Sequence, residues 1–408
     1  MSIHDYRGYR LDHTGPQMIL TMKLTSWAFN VYDGRRNRKD LSRYQQEHAV
    51  PAFPPLLSYL SYVFFFPALL VGPSFEYMDY IRFIELSQFR DPKTGKINWP
   101  AGRVKAAMQS FLFALVSLGA LAFVGPKINV LWTLSPAWNS LPWIGRFAYV
   151  QLAAFAARFK YYAVWKMAEG ACVLAGFGYN GQDPQTGASR WDASSNINIL
   201  AYEAGESVKA LADNWNIGTN KWLKYSVYFR VVSPGQKPGP LETFATFGVS
   251  AFWHGFYPGY YLMFASSAMA LTAGKLLRTH LRPRFANTTG KTPLWYNLMG
   301  LLLTQSTINY MSMSFLLLSF TDSIHVWRHL YFVPHIGILL VTLLTPVLFP
   351  VKRKSKKEKE DQAAQPLLQE AEKVKEIAQG VIEEVATTAL SASTDRLDSA
   401  SKQKIKAL

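Results

Sequence analysis

Long apolar stretches alternate with short polar and basic ones along residues 1–350. A transmembrane helix needs about 20 consecutive apolar residues, and several stretches approach or exceed that length. They are residues 16–32, 56–72, 106–124, 143–178, 244–273, 295–320 and 331–349. The pattern predicts an all-α, polytopic membrane protein with about six to eight membrane segments, of which some are re-entrant or broken helices around a buried cavity.

Two of the weaker apolar segments allow more than one interpretation. Residues 16–32 are interrupted by Lys23 and Asn30, so they predict either a short span or a helix lying in the membrane interface. Residues 129–142 are too short and too rich in proline and tryptophan to cross, which favours an interfacial or re-entrant segment.

Charged side chains interrupt a third segment. Within residues 143–178, Arg158 and Lys160 either separate two spans or line a water-filled cavity. Residues 216–230 place Trp222, Tyr225 and Phe229 at helical spacing. They therefore predict an amphipathic helix at a membrane surface, with lysine and arginine side chains beside the apolar ones.

The stretch from Phe244 to Ala273 contains thirty residues without a formal charge and one imidazole, His254. Its length suits a bilayer span, but basic loops both precede and follow it, which conflicts with a single crossing. A helix broken at Pro258-Gly259 resolves that conflict. An ionisable group inside a membrane segment is costly, so His254 is a candidate functional residue.

Composition narrows the classes of function. The formal net charge is +16, which matches a positive-inside bias and anionic lipid headgroups, and would also favour a polyanionic substrate. No basic stretch lies on a nucleic-acid-binding module, so we expect no nucleic-acid partner. Cys172 is the only cysteine, which excludes an intrachain disulfide, and His325, His329 and His335 lack supporting carboxylates or thiols for a metal site.

Residues 351–408 form a separate charged tail. They are rich in lysine and glutamate and follow the last apolar stretch directly, which predicts a cytosolic C-terminus. Apolar residues at three- to four-residue spacing predict either one amphipathic helix or a solvated tail. Lysines three and five positions from the end resemble a dilysine retrieval signal, which favours the endoplasmic reticulum membrane. The expected domains are thus residues 1–350 in the membrane and 351–408 outside it.

Two polar and aromatic motifs bracket the loop before the His254 segment. The first, WNIGTNKWL, begins at Trp215, and the second, WHGFYPGY, begins at Trp253; Asn216 and His254 lie 38 positions apart. Their residues and their order along the chain resemble the motifs of the membrane-bound O-acyltransferase family. Residues 12–18, 67–75 and 161–165 further resemble the lysophospholipid acyltransferase branch, especially its fungal members. The F-Y-x-D-W-W-N wording of the sterol and diacylglycerol branches is absent.

The resemblance implies transfer of an acyl chain from acyl-CoA, as co-substrate without a bound cofactor, to the hydroxyl of a lysophospholipid. It implies His254 as general base, with Asn216 orienting the acceptor, polarising the thioester or holding His254. Further residues are expected to bind substrate. They are Trp215, Thr219, Asn220, Trp222, Trp253, Tyr257, Lys221, Lys224 and Arg230. The three basic residues either pair with CoA phosphates or are positive-inside residues that need no ligand.

Other interpretations stay open on the sequence alone. Family members carry several membrane helices before residues 15–16, so the chain is expected to be shortened at its N-terminus. A related acyltransferase for another lipid alcohol or a protein, an inactive truncated relative, and a transporter with a buried histidine are the alternatives.

Overall fold

A computed structural model describes residues 13–91, 94–232 and 239–350, and within them regular structure is almost entirely helical. The all-α class predicted from the sequence is therefore confirmed for the described part of the chain. β-Structure there is limited to isolated bridges, such as the one between Ile197 and Trp215.

The described α-helices vary from one turn to nine. In chain order they are α1 Thr14–Gly34, α2 Arg43–His48, α3 Leu56–Val63, α4 Phe66–Leu69, α5 Tyr77–Ile84, α6 Arg103–Val124, α7 Pro136–Asn139, α8 Trp143–Ala175, α9 Ile199–Glu203, α10 Val208–Asn214, α11 Ile217–Leu223, α12 Phe229–Val231, α13 Pro240–His254, α14 Pro258–Leu276, α15 Arg282–Phe285, α16 Leu294–Leu317, α17 Phe320–His329 and α18 Val333–Leu348.

Proline starts several of these helices. Pro240 begins α13 and Pro258 begins α14. Proline suits a first helical position because its fixed φ is already helical and the missing N–H would have no intrahelical partner there. The two prolines thus define the starts of the helices on either side of His254.

The main core lies among α8, α14, α16 and α17. Trp138, Tyr310 and Trp327 are almost completely buried in it, and the long α6 packs along α8. The N-terminal helices form a smaller core, in which the buried Lys23 ammonium donates to the carbonyl oxygens of Tyr62 (2.8 Å) and Val63 (3.3 Å). This contact attaches α1 to the C-terminal end of α3.

One described helix, α6, is long and apolar enough to cross a membrane. The pair α17 and α18, bent by 78°, counts as a second if it forms one span. Leu112, Leu115 and Val116 on α6 are more than half exposed, as expected for a surface that contacts lipid. The predicted count of six to eight segments stays a prediction.

The stretch 244–273 is not one crossing but two helices, α13 and α14, separated by residues 255–257. A broken helix is therefore confirmed, although the break precedes Pro258-Gly259. Of the two interpretations of Arg158 and Lys160, the division into two spans is wrong, because α8 continues through both residues, and the lining of a water-filled cavity stays a prediction. Arg158 is tolerated inside the helix since its guanidinium pairs with Glu203 at 2.8 Å.

Residues 217–231 form one continuous helical run of α11, a π-helical turn and α12, so the predicted helix is confirmed, while its position at a membrane surface stays a prediction. Trp222 is buried against α1, so this segment packs into the protein on that side. The described residues belong to a unit ending at Phe349. The amphipathic helix and the dilysine signal that were predicted within residues 351–408 lie outside the described residues.

Candidate active site

His254 is the last residue of α13, and the chain reverses immediately after it. Gly255 has φ +119° and ψ −164°, a region that is essentially restricted to glycine. α14 begins three residues later at Pro258. The sequence His-Gly-x-x-Pro thus ends one helix at the imidazole and starts another, which places His254 at the C-terminal end of α13.

Aromatic rings surround the half-buried imidazole of His254. Its centroid lies 4.7 Å from the Trp253 ring, 5.5 Å from Tyr260, 5.2 Å from Phe264 and 5.0 Å from Phe315. Within the described part of the chain, neither ring nitrogen takes part in a hydrogen bond. The rings fix the imidazole by packing and leave its nitrogens for another partner.

The turn after His254 is held by the end of α16. The Gly259 amide donates to the Leu318 carbonyl at 2.7 Å, and a Cβ on Gly259 would lie 2.1 Å from the Ser314 carbonyl oxygen. Only glycine permits this approach of the two backbones. The same part of α16 carries Phe315, so the close contact also positions one of the four aromatic rings around His254.

Asn216 stands at the start of α11 with left-handed backbone angles, φ +45° and ψ +55°. Asparagine adopts this conformation more readily than most residues. Its Oδ1 accepts two hydrogen bonds, from Asn196 Nδ2 at 3.1 Å and from Thr219 Oγ1 at 2.9 Å. The amide orientation is therefore determined by two donors, and its NH₂ group makes no hydrogen bond to the described residues.

Asn196 organises the backbone around Asn216. Its carbonyl accepts from the Ile217 amide and its Oδ1 from the Gly218 amide, each at 2.9 Å. The Asn198 amide donates to the Asn214 carbonyl at 3.1 Å, so residues 196–198 run beside residues 214–217. The sequence interpretation missed Asn196, because a single polar residue in a long polar loop carries no distinguishing spacing.

Two tryptophans join the Asn216 and His254 segments. The Trp222 and Trp253 rings are 5.9 Å apart and pack on Ile19 and Met22 of α1. Trp222 Nε1 donates to Thr25 Oγ1 at 2.9 Å, whereas Trp253 Nε1 donates to a backbone carbonyl of α1 at 3.0 Å. α1 is thus the common support of both motifs, and the structure brings them together without a hydrogen bond between Asn216 and His254.

Several residues expected to bind substrate instead make internal contacts. Arg230 forms a two-point ion pair with Asp33, at 2.7 and 2.5 Å, and its assignment to CoA phosphates stays a prediction. Asn220 Nδ2 donates to the Ala212 carbonyl, and Trp222 is buried. Each of these side chains therefore has a hydrogen-bond partner inside the protein.

The remaining predicted residues fall into three environments. Thr219 is buried and supports Asn216, and Trp215 packs among aromatic rings directly before it. Tyr257 is buried in the turn after His254. Lys221 and Lys224 are exposed, with the Lys224 ammonium 5.1 Å from the Tyr225 ring centroid. Only these two lysines have charged groups available to a ligand at the surface of this segment.

A polar cluster connects Asn30 near the end of α1 with α2 and the start of α5. The buried Glu76 carboxylate accepts from Asn30 (2.6 Å) and Tyr44 (2.8 Å), and burial raises its pKa. His48 lies 3.3 Å from Asp79. Burial lowers the pKa of His48, but the Asp79 carboxylate, the Tyr44 carbonyl and the Glu76 charge together outweigh it, and the net shift is upward. Burial likewise opposes ionisation of Asp79, yet His48, Arg82 and the Glu76 backbone amide together lower the pKa of that carboxyl.

An apolar groove of about 820 Å³ lies beside α14, α17 and α18. Pro258, Leu262, Ala265 and Met269 line it from α14. Tyr260 and Phe264, which contact His254, lie on the opposite side of the same helix because successive residues turn by about 100°. The groove is therefore separated from the His254 surround by the body of α14.

The model of the membrane-bound O-acyltransferase family matches residues 1–317. The chain belongs to this family. Within the family, it is 43% identical over 343 residues to the lysophospholipid acyltransferase of Schizosaccharomyces pombe, covering 82% of this chain and 67% of that protein. It is 40% identical over 354 residues to the lysophospholipid acyltransferase of Saccharomyces cerevisiae, covering 80% and 56%.

An animal relative is similar over a comparable length. The human membrane-bound glycerophospholipid O-acyltransferase 2 is 35% identical over 364 residues, which are 86% of this chain and 68% of that protein. The chain spans about half to two thirds of the length of the curated relatives that it matches. The resemblance stated from the WNIGTNKWL and WHGFYPGY motifs, including its fungal character, is confirmed.

Proposed function

We propose that this membrane-bound O-acyltransferase transfers an acyl chain from acyl-CoA to the free hydroxyl of a lysophospholipid. The observation that carries the proposal is the His254 imidazole, which is held by aromatic packing with both nitrogens free of hydrogen bonds to the described residues. The names of the fungal relatives support the acceptor class.

His254 acts as the general base. The neutral imidazole accepts the proton of the lysophospholipid hydroxyl while that oxygen attacks the thioester carbonyl carbon. Collapse of the tetrahedral intermediate breaks the C–S bond, and the proton passes from His254 to the departing CoA thiolate. No enzyme nucleophile is needed because the thiolate is already a good leaving group, and the aromatic rings limit competing attack by water.

Asn216 acts as a hydrogen-bond donor to the thioester carbonyl. Two donors occupy its Oδ1, so the NH₂ group is the part of the amide left to face a substrate. A donor aimed at the developing oxyanion stabilises the transition state more than the ground state. This role is one of the three that the sequence left open.

The CoA moiety binds from the cytosolic side of the endoplasmic reticulum membrane, with Lys221 and Lys224 contacting its phosphates. Both lysines are exposed on the segment that follows Asn216. Their ammonium groups suit phosphate oxygens as point charges. Acyl-CoA enters as a co-substrate, and the reaction as proposed needs no resident cofactor.

Membranes containing the protein, incubated with labelled acyl-CoA and a panel of lysophospholipids, test the proposal. Labelled diacyl phospholipid should form with wild type and should be lost in His254→Ala, while the variant stays in the membrane fraction. Transfer to a sterol, diacylglycerol or protein in the same reaction, or product formation by His254→Ala at the wild-type rate, would overturn it.

A further inference from the structure

A buried ion pair on α8 and α9 lies outside the residues described above as the reacting groups. Arg158 and Glu203 contact each other through two hydrogen bonds, Nε to Oε1 at 2.9 Å and Nη2 to Oε2 at 2.8 Å. Their side chains are 8% and 26% exposed. A charge pair in such surroundings needs a reason, because its desolvation offsets much of its attraction.

Other polar groups tie the pair to α8 and α16. Tyr162 donates its hydroxyl to Glu203, and Arg158 Nη1 donates to Asn309 Oδ1 at 2.5 Å. Gln305, also on α16, donates to the Tyr202 carbonyl at 2.7 Å. The short helix α9 is thereby attached to two long helices, α8 and α16.

The residue before Asn216 packs against this assembly. The Trp215 ring lies 4.8 Å from Tyr202 on α9, and 5.0 Å from Trp165 and 6.1 Å from Tyr162 on α8. Trp215 therefore sits between the two helices that Arg158 and Glu203 join. Any relative movement of α8 and α9 changes the position of Trp215.

α9 also adjoins the second support of Asn216. It begins at Ile199, three residues after Asn196, whose side chain donates to Asn216 Oδ1. Both neighbours that determine the placement of Asn216, Trp215 through the chain and Asn196 through its amide, are thus connected to α9. The left-handed backbone at Asn216 adds a conformation that its surroundings must maintain.

We propose that the Arg158–Glu203 ion pair is a positioning element that holds the Asn216 amide toward the substrate through Trp215 and Asn196. The inference rests on the proposed function of Asn216 as the donor to the thioester carbonyl. Arg158 and Glu203 are positioning residues that touch no reacting atom. Their contribution to turnover passes through Asn216, which distinguishes it from a general contribution to stability.

A double-mutant cycle measures that dependence. Glu203→Gln keeps the shape of the side chain and removes its charge, and we expect kcat to fall about tenfold or more while KM for acyl-CoA and lysophospholipid changes less than about twofold. In the Asn216→Asp background, where the NH₂ donor is already gone, Glu203→Gln should lower kcat less than about twofold further.

The matched control is Asp33→Asn. It breaks another buried ion pair, which joins α1 to Arg230 on α12 and includes none of the residues that pack on Trp215. Asp33→Asn should lower kcat by the same factor in the wild-type background and in the Asn216→Asp background. An equal factor for Glu203→Gln in both backgrounds, or no fall in kcat at all, would overturn the proposal. If Glu203→Gln does not accumulate in membranes, Tyr162→Phe removes one donor to the same carboxylate and takes its place.

A second measurement does not depend on activity. Glu203→Gln should increase hydrogen exchange at the Ile217 and Gly218 amides, which bond to Asn196, whereas Asp33→Asn should leave them unchanged. Unchanged exchange in Glu203→Gln contradicts the positioning role even if wild type transfers no acyl chain. A wild-type protein inactive toward every lysophospholipid would instead remove the proposed function.

Discussion

His254 and Asn216 are placed by opposite means. The His254 imidazole lies among four aromatic rings and makes no hydrogen bond to the described residues. The Asn216 amide is held by two hydrogen bonds to one oxygen, and its neighbours are tied to a buried ion pair. One side chain is fixed by shape and the other by polar contacts.

The difference matches what each group has to do in the proposed reaction. A general base must exchange a proton, and a permanent partner on either nitrogen would compete with the substrate for it. An oxyanion donor keeps its proton and contributes through its direction, so a second group that fixes its orientation increases its effect. The two environments therefore suit a proton acceptor and a fixed donor respectively.

Removing the imidazole should have the largest effect. His254→Gln keeps a polar side chain of similar length but cannot accept the hydroxyl proton at neutral pH, so we expect kcat to fall by about 10²- to 10⁴-fold. Because the surrounding rings stay in place, the amount of protein in the membrane should match wild type. Initial rates at saturating acyl-CoA measure the change, and a decrease below tenfold would show that the unbonded imidazole is not the base.

The oxygen and the NH₂ group of the Asn216 amide can be tested separately. Asn216→Asp keeps the oxygen that accepts from Asn196 and Thr219 and loses the NH₂ donor, and kcat should fall about 10²-fold with little change in stability. Asn216→Ala removes both ends and puts alanine in a left-handed conformation, which costs a further roughly 1–2 kcal/mol of stability. Rates and thermal unfolding of both variants test this, and full activity of Asn216→Asp would assign the role to the oxygen.

Gly259 tests how closely the His254 turn must approach α16. A Cβ there would lie 2.1 Å from a carbonyl oxygen, so Gly259→Ala should lower the free energy of unfolding by about 1–3 kcal/mol and reduce kcat. Gly274→Ala on the same helix is the control, because no atom lies within 4 Å of its Cβ and alanine is the better helix former. Thermal unfolding in detergent should separate the two, and equal effects would contradict the close packing.

The smallest effect concerns His48, whose raised pKa stabilises the fold only while the ring is protonated. That contribution is present below the unfolded pKa of 6.5 and is lost as pH rises through the higher folded value. The lowered pKa of Asp79 acts in the opposite direction, since its contribution is lost only in acid. Thermal stability should therefore decrease above about pH 6.5 in wild type and vary less in His48→Gln. If thermal stability depends on pH in the same way in both proteins, the His48–Asp79 pair is not the cause of the decrease.

Much of the helical pattern could be predicted from the sequence. The uncharged run indicated a broken helix at Pro258-Gly259, close to the observed break at residues 255–257, and the two motifs indicated the family. Residues 106–124 correspond to α6, the described helix that is long and apolar enough to cross a membrane by itself. These features depend on local chain composition, which hydropathy and turn residues report directly.

Contacts between distant residues could not be predicted. Arg158 reads as an interruption in an apolar stretch until Glu203, 45 positions later, is seen to pair with it. The ion pair between Arg230 and Asp33, 197 positions earlier, likewise exists only in the folded chain. Asn196 has no motif of its own, because its importance comes from the backbone amides that it meets in the folded chain.

The central claim is that His254 performs chemistry without contributing to acyl-CoA binding. It is tested most directly by measuring acyl-CoA binding and single-turnover acyl transfer on the same preparations of wild type and His254→Gln. We predict that the dissociation constant for acyl-CoA changes less than about threefold while the transfer rate falls at least about 100-fold. A variant that transfers at the wild-type rate, or that loses acyl-CoA binding in proportion to its rate, would contradict the account.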